Sequence, residues 1–305
     1  MKISKPYLIR SNDLNINDLK LIFDKTDMFL KSGNYSSFDD LKNVPLALAF
    51  FENSTRTKIS FELAAKRLGA NVVSFDYVTS SLSKGETNLD TIRTMEAMGI
   101  KIFVIRHKED GIVEELQSNS NNIIVNAGDG EIDHPTQGLL DSYTLHKHFG
   151  TLKGLNLCIV GDILHSRVAR SNISLLKKQG VNITICGPKE LLPKDKLTEG
   201  INVYSNIDEA IENSDVIMLL RVQRERMKSE LIKSNEDYHA KFGMNIKRFE
   251  RKPELVIMHP GPVNYGVELD MEVIKYPNCL IQTQVKYGVY IRMAVLSLLS
   301  EYINK

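Results

Sequence analysis

A chain of 305 residues with 42% hydrophobic and 25% charged residues has the composition of one large or two medium globular domains. Its 39 basic and 38 acidic residues leave a net charge of +1, which gives no electrostatic case for nucleic acid or for an acidic membrane surface as a partner. No run approaches the ~18 consecutive apolar residues of a membrane span. Met1-Lys2-Ile3-Ser4-Lys5-Pro6 lacks the apolar core of a signal peptide. The three cysteines, Cys158, Cys186 and Cys279, lie far apart without CxxC spacing and fit a reducing compartment, so the expected location is cytoplasmic. Cys158 and Cys186 sit inside apolar runs and read as buried core thiols.

Apolar positions at helical spacing predict a helix over 13–32, ended near Gly33. Residues 46–51 form an apolar run that reads as a buried strand, and a helix begins directly after Ser54. Strands are expected over 71–75, 101–106 and 123–126, with helices over 88–98 and 109–119 between them. The polar, glycine-containing stretch 79–86 reads as a loop. His134-Pro135-Thr136-Gln137 opens a helix that runs to Phe149, with Pro135 suited to its first turn. A second alternating series follows, with strands at 157–160, 183–186, 202–204, 216–220, 255–258 and 280–282, and a last helix over 289–302. Strand and helix alternate every 25–30 residues or so, which is the pattern of stacked βαβ units on a parallel sheet. The expected architecture is α/β, two doubly wound parallel-sheet domains facing a central cleft and bridged by helices. The polar restart at 150–154 sets the expected boundary, with domains at 1–149 and 150–288 and the segment 289–305 packing back on the first.

Ligands of open parallel sheets bind beyond the C-terminal ends of the strands, and the unusual residues of this chain fall there repeatedly. Ser54-Thr55-Arg56-Thr57 lies where a strand turns into a helix. The first N–H groups of a helix have no internal partner and carry partial positive charge, hydroxyls add donors, and a guanidinium matches phosphate oxygens. The stretch either caps its helix in the ordinary way or holds an anion, for which phosphate is the best chemical match. Arg106 ends another strand, and His134 and Gln137 lie one helical turn apart after a third. Arg106 could balance phosphate charge or merely pair on the surface; His134 could polarise a carbonyl, act as a base, or cap a helix. In the second half Gly161-Asp162 with Arg167, Arg221-Val222-Gln223, and His259-Pro260-Gly261-Pro262 all follow strands. Two arginines there suit a substrate with two carboxylates. Arg224, Glu225 and Arg226 read as a solvated helix face, and Lys84 by itself as an exposed lysine. His146 and His148, at i and i+2, do not share a helical face, so no metal site is expected. No complete dinucleotide fingerprint, P-loop or hydrolase elbow is present.

Phe51-Glu52-x-Ser54-Thr55-Arg56-Thr57 resembles the carbamoyl-phosphate signature of the aspartate and ornithine carbamoyltransferases. Ser81-x-x-Lys84-Gly85-Glu86, His134-Pro135-Thr136-Gln137, Arg167, Arg221-x-Gln223 and His259-Pro260-x-Pro262 follow in that family's order, over essentially the whole chain. The aspartate branch fits better: His259-Pro260-Gly261-Pro262 stands where ornithine enzymes carry His-Cys-Leu-Pro, and their Ser-Met-Gly loop is missing. The resemblance implies carbamoyl transfer to L-aspartate in pyrimidine synthesis, with another amine acceptor such as ornithine as the alternative. A non-catalytic, anion-binding subunit on the same fold is a third reading, disfavoured by the intact Lys84, Arg106, His134 and Gln137.

The resemblance further implies a homotrimer with shared active sites, in which the Lys84 loop completes a neighbour's site, and leaves a regulatory chain open. It implies no cofactor and no metal. By matching position, Ser54, Thr55, Arg56, Thr57, Ser81, Arg106, His134, Gln137 and the backbone of Gly261 and Pro262 would hold carbamoyl phosphate. Lys84, Arg167, Arg221 and Gln223 would bind aspartate. Arg56, Thr57, Lys84, Arg106 and His134 would be catalytic. Tyr265 departs from the family pattern, since many relatives have arginine there, and the Lys84 loop has one lysine where some relatives have two.

Overall fold

The computed structural model describes residues 2–33, 37–76, 86–193, 195–196, 198–223 and 234–303. Its elements run α1 (Ile16–Ser32), β1 (Pro45–Phe50), α2 (Thr55–Arg67), β2 (Asn71–Asp76), α3 (Asn88–Ala97), β3 (Ile102–His107), α4 (Ile112–Ser118), β4 (Ile123–Asp129) and α5 (Pro135–Phe149). They continue with β5 (Asn156–Val160), α6 (Arg167–Lys178), β6 (Asn182–Cys186), β7 (Asn202–Tyr204), α7 (Ile207–Glu212), β8 (Val216–Leu219), α8 (Asn235–Phe242), α9 (Ile246–Arg251), β9 (Val256–Met258) and α10 (Ile281–Ser300).

The chain forms two compact units, Met1–Leu140 with Lys286–Lys305, and Asp141–Val285. The divisions fall inside α5 and α10, whereas the sequence reading placed them at helix ends; a boundary in the middle of a continuous helix leaves no punctuation in the sequence. The first unit carries a four-stranded parallel sheet in the order β2-β1-β3-β4, and the second a five-stranded parallel sheet in the order β7-β6-β5-β8-β9. The α/β class expected from the alternation is the one observed.

Parallel strands covered on both faces read as continuous apolar runs, and the period of two decides which residue serves which face. In the second unit Leu157 and Ile159 of β5, with Val216 and Met218 of β8, pack with Ala169, Ile173 and Leu176 of α6. Cys158 and Val160, with Ile217 and Leu219, face the other way among Ile207 and Ile211 of α7 and Phe242 of α8. The first unit repeats the device with Ala47, Ala49, Phe103, Ile105 and Ile124 on one face against Ile92 of α3 and Val113 and Leu116 of α4. Cys158 and Cys186 are buried core thiols, and burial pushes the Cys158 thiol up to about 12.

Residues 280–282, expected as a strand, instead enter the first turn of α10. The chain meets the sheet just before that helix: Cys279 bridges Ile257, whose N–H donates to Asn278 O at 2.9 Å and whose carbonyl accepts from Leu280 N at 2.8 Å. The apolar run at that point serves a buried helix, and a short apolar run alone does not separate the two.

Candidate active site

In a doubly wound sheet the chain leaves one central strand toward one side and its neighbour toward the other, and a crevice opens between their C-terminal ends. In the first unit that switch point lies between β1 and β3. β1 continues through α2 to β2 on one side, while β3 lies on the other. The register places Phe50 beside Arg106, and Phe51 N donates to Arg106 O at 2.8 Å. Ser54-Thr55-Arg56-Thr57 and Arg106 are therefore brought to one place by strand order.

Ser54 holds the N-cap position of α2, but its side chain makes no cap bond. That decides against ordinary capping as the use of its hydroxyl. Thr55 and Arg56 are exposed and Thr57 is buried. The Arg106 guanidinium is held from two sides: Nε lies 2.7 Å from Glu52 Oε1, and one terminal nitrogen donates to Ala127 O at 3.0 Å. Glu52 thus has a structural reason in the motif, orienting a cation from the neighbouring strand.

His134 and Gln137 are both buried. His134 stands just before α5, and its carbonyl accepts from Gln137 N at 2.9 Å and Gly138 N at 3.2 Å. The turn before it is fixed by buried polar groups. Asn126 Nδ2 donates to Ile9 O at 2.8 Å, and Asn126 Oδ1 accepts from Gly128 N at 2.7 Å. Asp133 accepts from Ser11 N at 2.7 Å and Ser11 Oγ at 2.6 Å. Gly130, at φ +48°, leaves no room for a Cβ, which would meet Asp110 Oδ1 at 1.7 Å.

The second unit repeats the arrangement between β5 and β8. β5 continues to β6 and β7 on one side, and β8 leads to β9 on the other. The loop after β5 carries Gly161 and Asp162 and leads to Arg167 at the start of α6, and the loop after β8 carries Arg221 and Gln223. Gly161 has φ +129°, and a Cβ there would lie 2.9 Å from Leu220 O, so the two loops touch backbone to backbone only because this residue is glycine. Arg167 is the buried first residue of α6, whose cap is Ser166 Oγ accepting from Ala169 N at 3.1 Å. Gln223 Nε2 donates to His165 O at 3.0 Å, and His165 Nδ1 lies 2.8 Å from Asp162 Oδ1.

The loop after β9 adds Gly261 and Pro262, joined by a cis peptide bond. His259 orients it: its N–H donates to Gln284 Oε1 at 3.0 Å, and its Nδ1 accepts from Gly261 N at 2.8 Å. Behind it, Asp141 accepts from Gln284 Nε2 at 2.7 Å and Asn172 Nδ2 at 2.8 Å. Asp141 and Gln284 were missed by sequence reasoning. Both sit inside helices, and their partners are remote in the chain. Ser81, Lys84 and the segment Arg224-Glu225-Arg226 lie outside the described residues.

Residues 7–147 match the carbamoyl-P binding domain of aspartate/ornithine carbamoyltransferase, and residues 153–299 match the Asp/Orn binding domain of the same family. The chain belongs to the aspartate/ornithine carbamoyltransferase family. Within that family it is 44% identical to the aspartate carbamoyltransferase catalytic subunit of Christiangramia forsetii, over 100% of this chain and 99% of the relative. It is 43% identical to that of Granulibacter bethesdensis, over 98% and 96%. Among solved structures, the catalytic subunit of M. jannaschii aspartate transcarbamoylase superposes with a TM-score of 0.85 at 32% identity, covering 97% of this chain and 98% of that one. The Trypanosoma cruzi aspartate transcarbamoylase in complex with carbamoyl phosphate and aspartate gives 0.84 at 31%, covering 95% of each chain.

Proposed function

We infer that this chain transfers the carbamoyl group of carbamoyl phosphate to the amino group of L-aspartate, giving N-carbamoyl-L-aspartate and phosphate. Among carbamoyltransferases, the acceptor is aspartate rather than ornithine. The observation that carries the reading is the meeting of Ser54–Thr57 with Arg106 at the β1/β3 switch point, in a chain whose full-length relatives are aspartate carbamoyltransferase catalytic subunits.

The roles are those that the family resemblance implies by matching position, and the chemistry of each side chain suits its role. The α2 N-terminus with Ser54, Thr55 and Arg56 receives the phosphate, supported by Ser81. Thr57, Arg106 and His134 donate to the carbamoyl oxygen. Gln137 and the Gly261 and Pro262 backbone recognise the carbamoyl amide. Arg167, Arg221, Gln223 and Lys84 take the carboxylates of aspartate. The α-amino group attacks the carbamoyl carbon, the C–O bond to phosphate breaks, and the departing phosphate accepts the amine proton. Negative charge grows on the carbamoyl oxygen in the tetrahedral state, so fixed donors aimed there lower the barrier, and orientation of the two substrates does the rest. On this reading the segment up to residue 149 serves carbamoyl phosphate and 150–288 serves aspartate. The enzyme is a cytoplasmic homotrimer in pyrimidine synthesis, with Lys84 completing a neighbour's site. Among the described residues no helix is long and apolar enough to cross a membrane.

Assays with carbamoyl phosphate and either aspartate or ornithine test the activity; turnover of ornithine and not aspartate would overturn it. Arg56→Ala tests the phosphate site and should abolish turnover in a folded protein. Light-scattering mass tests the trimer, and mixing Lys84→Ala chains with Arg56→Ala chains should restore part of the activity only if sites are shared.

A further inference from the structure

The buried carboxylate of Glu268 belongs to none of the roles above, yet it touches two of the loops that carry them. Glu268 is 1% exposed. Its Oε1 accepts from Val222 N at 2.8 Å and from Asn264 Nδ2 at 2.8 Å, and its Oε2 accepts from Asn264 N at 2.7 Å. Val222 stands between Arg221 and Gln223. Asn264 lies two residues beyond Pro262 in the loop after β9. One carboxylate therefore ties the β8 loop to the β9 loop.

Its mount is rigid. Glu268 O accepts from Met244 N at 2.9 Å, Asp270 N donates to Met244 O at 2.9 Å, and Leu269 bridges Met244. His239 of α8 adds Nδ1 at 3.1 Å from Val267 O and Nε2 at 3.1 Å from Asp270 Oδ1. The backbone of Glu268 is thus pinned to the turn after α8, while its side chain reaches out to the substrate loops. A carboxylate has four lone-pair sites and no proton to donate when ionised, so it alone among the side chains of this length can accept all three N–H groups.

We propose that Glu268 is a positioning residue for the acceptor substrate, holding the Arg221–Gln223 segment in register with the Gly261–Asn264 loop through its bond to Val222 N. Arg221 and Gln223 flank the bonded residue, so their side chains leave the backbone from a fixed point instead of from a free loop. Binding arginines gain affinity when their backbone is fixed beforehand, because less freedom is lost on binding. Burial raises the Glu268 carboxyl above its ordinary value, opposed by the three N–H bonds it accepts. Those bonds are what favour its ionised form in so dry a place.

The inference rests on the reading that Arg221 and Gln223 bind aspartate, and the experiment separates the two. Three variants are compared with the unaltered enzyme: Arg221→Ala, Glu268→Gln and Asn264→Ala. Glutamine keeps the shape of glutamate but turns an N–H₂ toward an N–H donor, breaking part of the set. Circular dichroism and Tm establish which variants are folded at the assay temperature, and KM is measured for each substrate with kcat. Arg221→Ala should raise the aspartate KM at least about 30-fold. Glu268→Gln should raise it about tenfold, and Asn264→Ala about threefold, with the carbamoyl phosphate KM within about twofold of the original in both.

If Arg221→Ala leaves the aspartate KM unchanged, the aspartate-site reading itself fails. If Arg221→Ala raises it but the folded Glu268→Gln does not, Glu268 is not a positioning residue. A loss of kcat proportional to the unfolded fraction, with both KM values unmoved, would make its role structural only and overturn the proposal. Should Glu268→Gln not fold, Asn264→Ala decides by the same criterion.

Discussion

Glu52 and Arg106, which end neighbouring strand regions of one sheet, form an ion pair with Oε1 2.7 Å from Nε, and both side chains are largely buried at 17% and 14% exposure. The pair fixes the direction of the guanidinium, while the bond to Ala127 O fixes its plane. A cation oriented before the substrate arrives spends less of its interaction on ordering. Glu52→Gln keeps the size of the side chain and removes the charge. It should raise the KM for carbamoyl phosphate about tenfold and leave the aspartate KM nearly as it was. Steady-state kinetics with each substrate varied in turn checks this, and equal changes in both constants would refute it.

His134→Ala tests the oxyanion role directly. Losing one donor to the developing negative charge should lower kcat by about 10²–10³. The effect on either KM should be small, because the interaction strengthens only in the transition state. A rise in KM with unchanged kcat would move His134 from transition-state stabilisation to ground-state binding.

His107 makes a prediction about stability and pH. It is buried against Phe51, accepts at Nδ1 from Glu109 N at 3.0 Å, and lies 3.3 Å from the Asn88 amide through Nε2. Burial lowers its pKa below the ordinary value, opposed by Glu109 and Glu52 and helped by Lys108. Well above the ordinary histidine pKa of about 6.5, neither the folded nor the unfolded chain protonates this imidazole. As pH falls below that value the unfolded chain binds the proton first, so stability declines until the lowered folded pKa has been passed. Tm measured from pH 7.5 downward should therefore fall less steeply for His107→Gln than for the unaltered protein. Identical slopes would show that His107 does not contribute.

Gly161→Ala should damage the second unit at its switch point. The substitution puts a Cβ 2.9 Å from Leu220 O and 3.1 Å from Tyr238 Oη, at a φ of +129° that L side chains rarely adopt. The combined steric and backbone cost is about 2 kcal/mol or more. Denaturant unfolding measures it, and a loss below about 0.5 kcal/mol would mean that the two loops separate easily.

Much of the fold was readable because β1, β3, β5 and β8 are mainly apolar runs of strand length that alternate with segments of helical spacing, as a sheet covered on both faces requires. Ser54–Thr57, Arg106, His134, Arg167 and Arg221 were legible as candidates because polar residues at the ends of such runs face a crevice. The supporting residues were not. Glu268 meets Val222 across 46 positions, and Gln284 meets Asp141 across 143. A bond of that span leaves no trace in local pattern, and a single Glu or Gln reads by itself as a surface residue.

By itself, then, the sequence determined the α/β class, the alternation, the strand-end residues and the family, because these follow from local periodicity and short motifs. Tertiary structure alone decided which strand ends become neighbours. A crossover helix can carry the next strand to either side of the last, and nothing in its periodicity says which. The orders β2-β1-β3-β4 and β7-β6-β5-β8-β9 settled that. They set Arg106 beside the α2 N-terminus, and they set the Arg221 loop against Gly161.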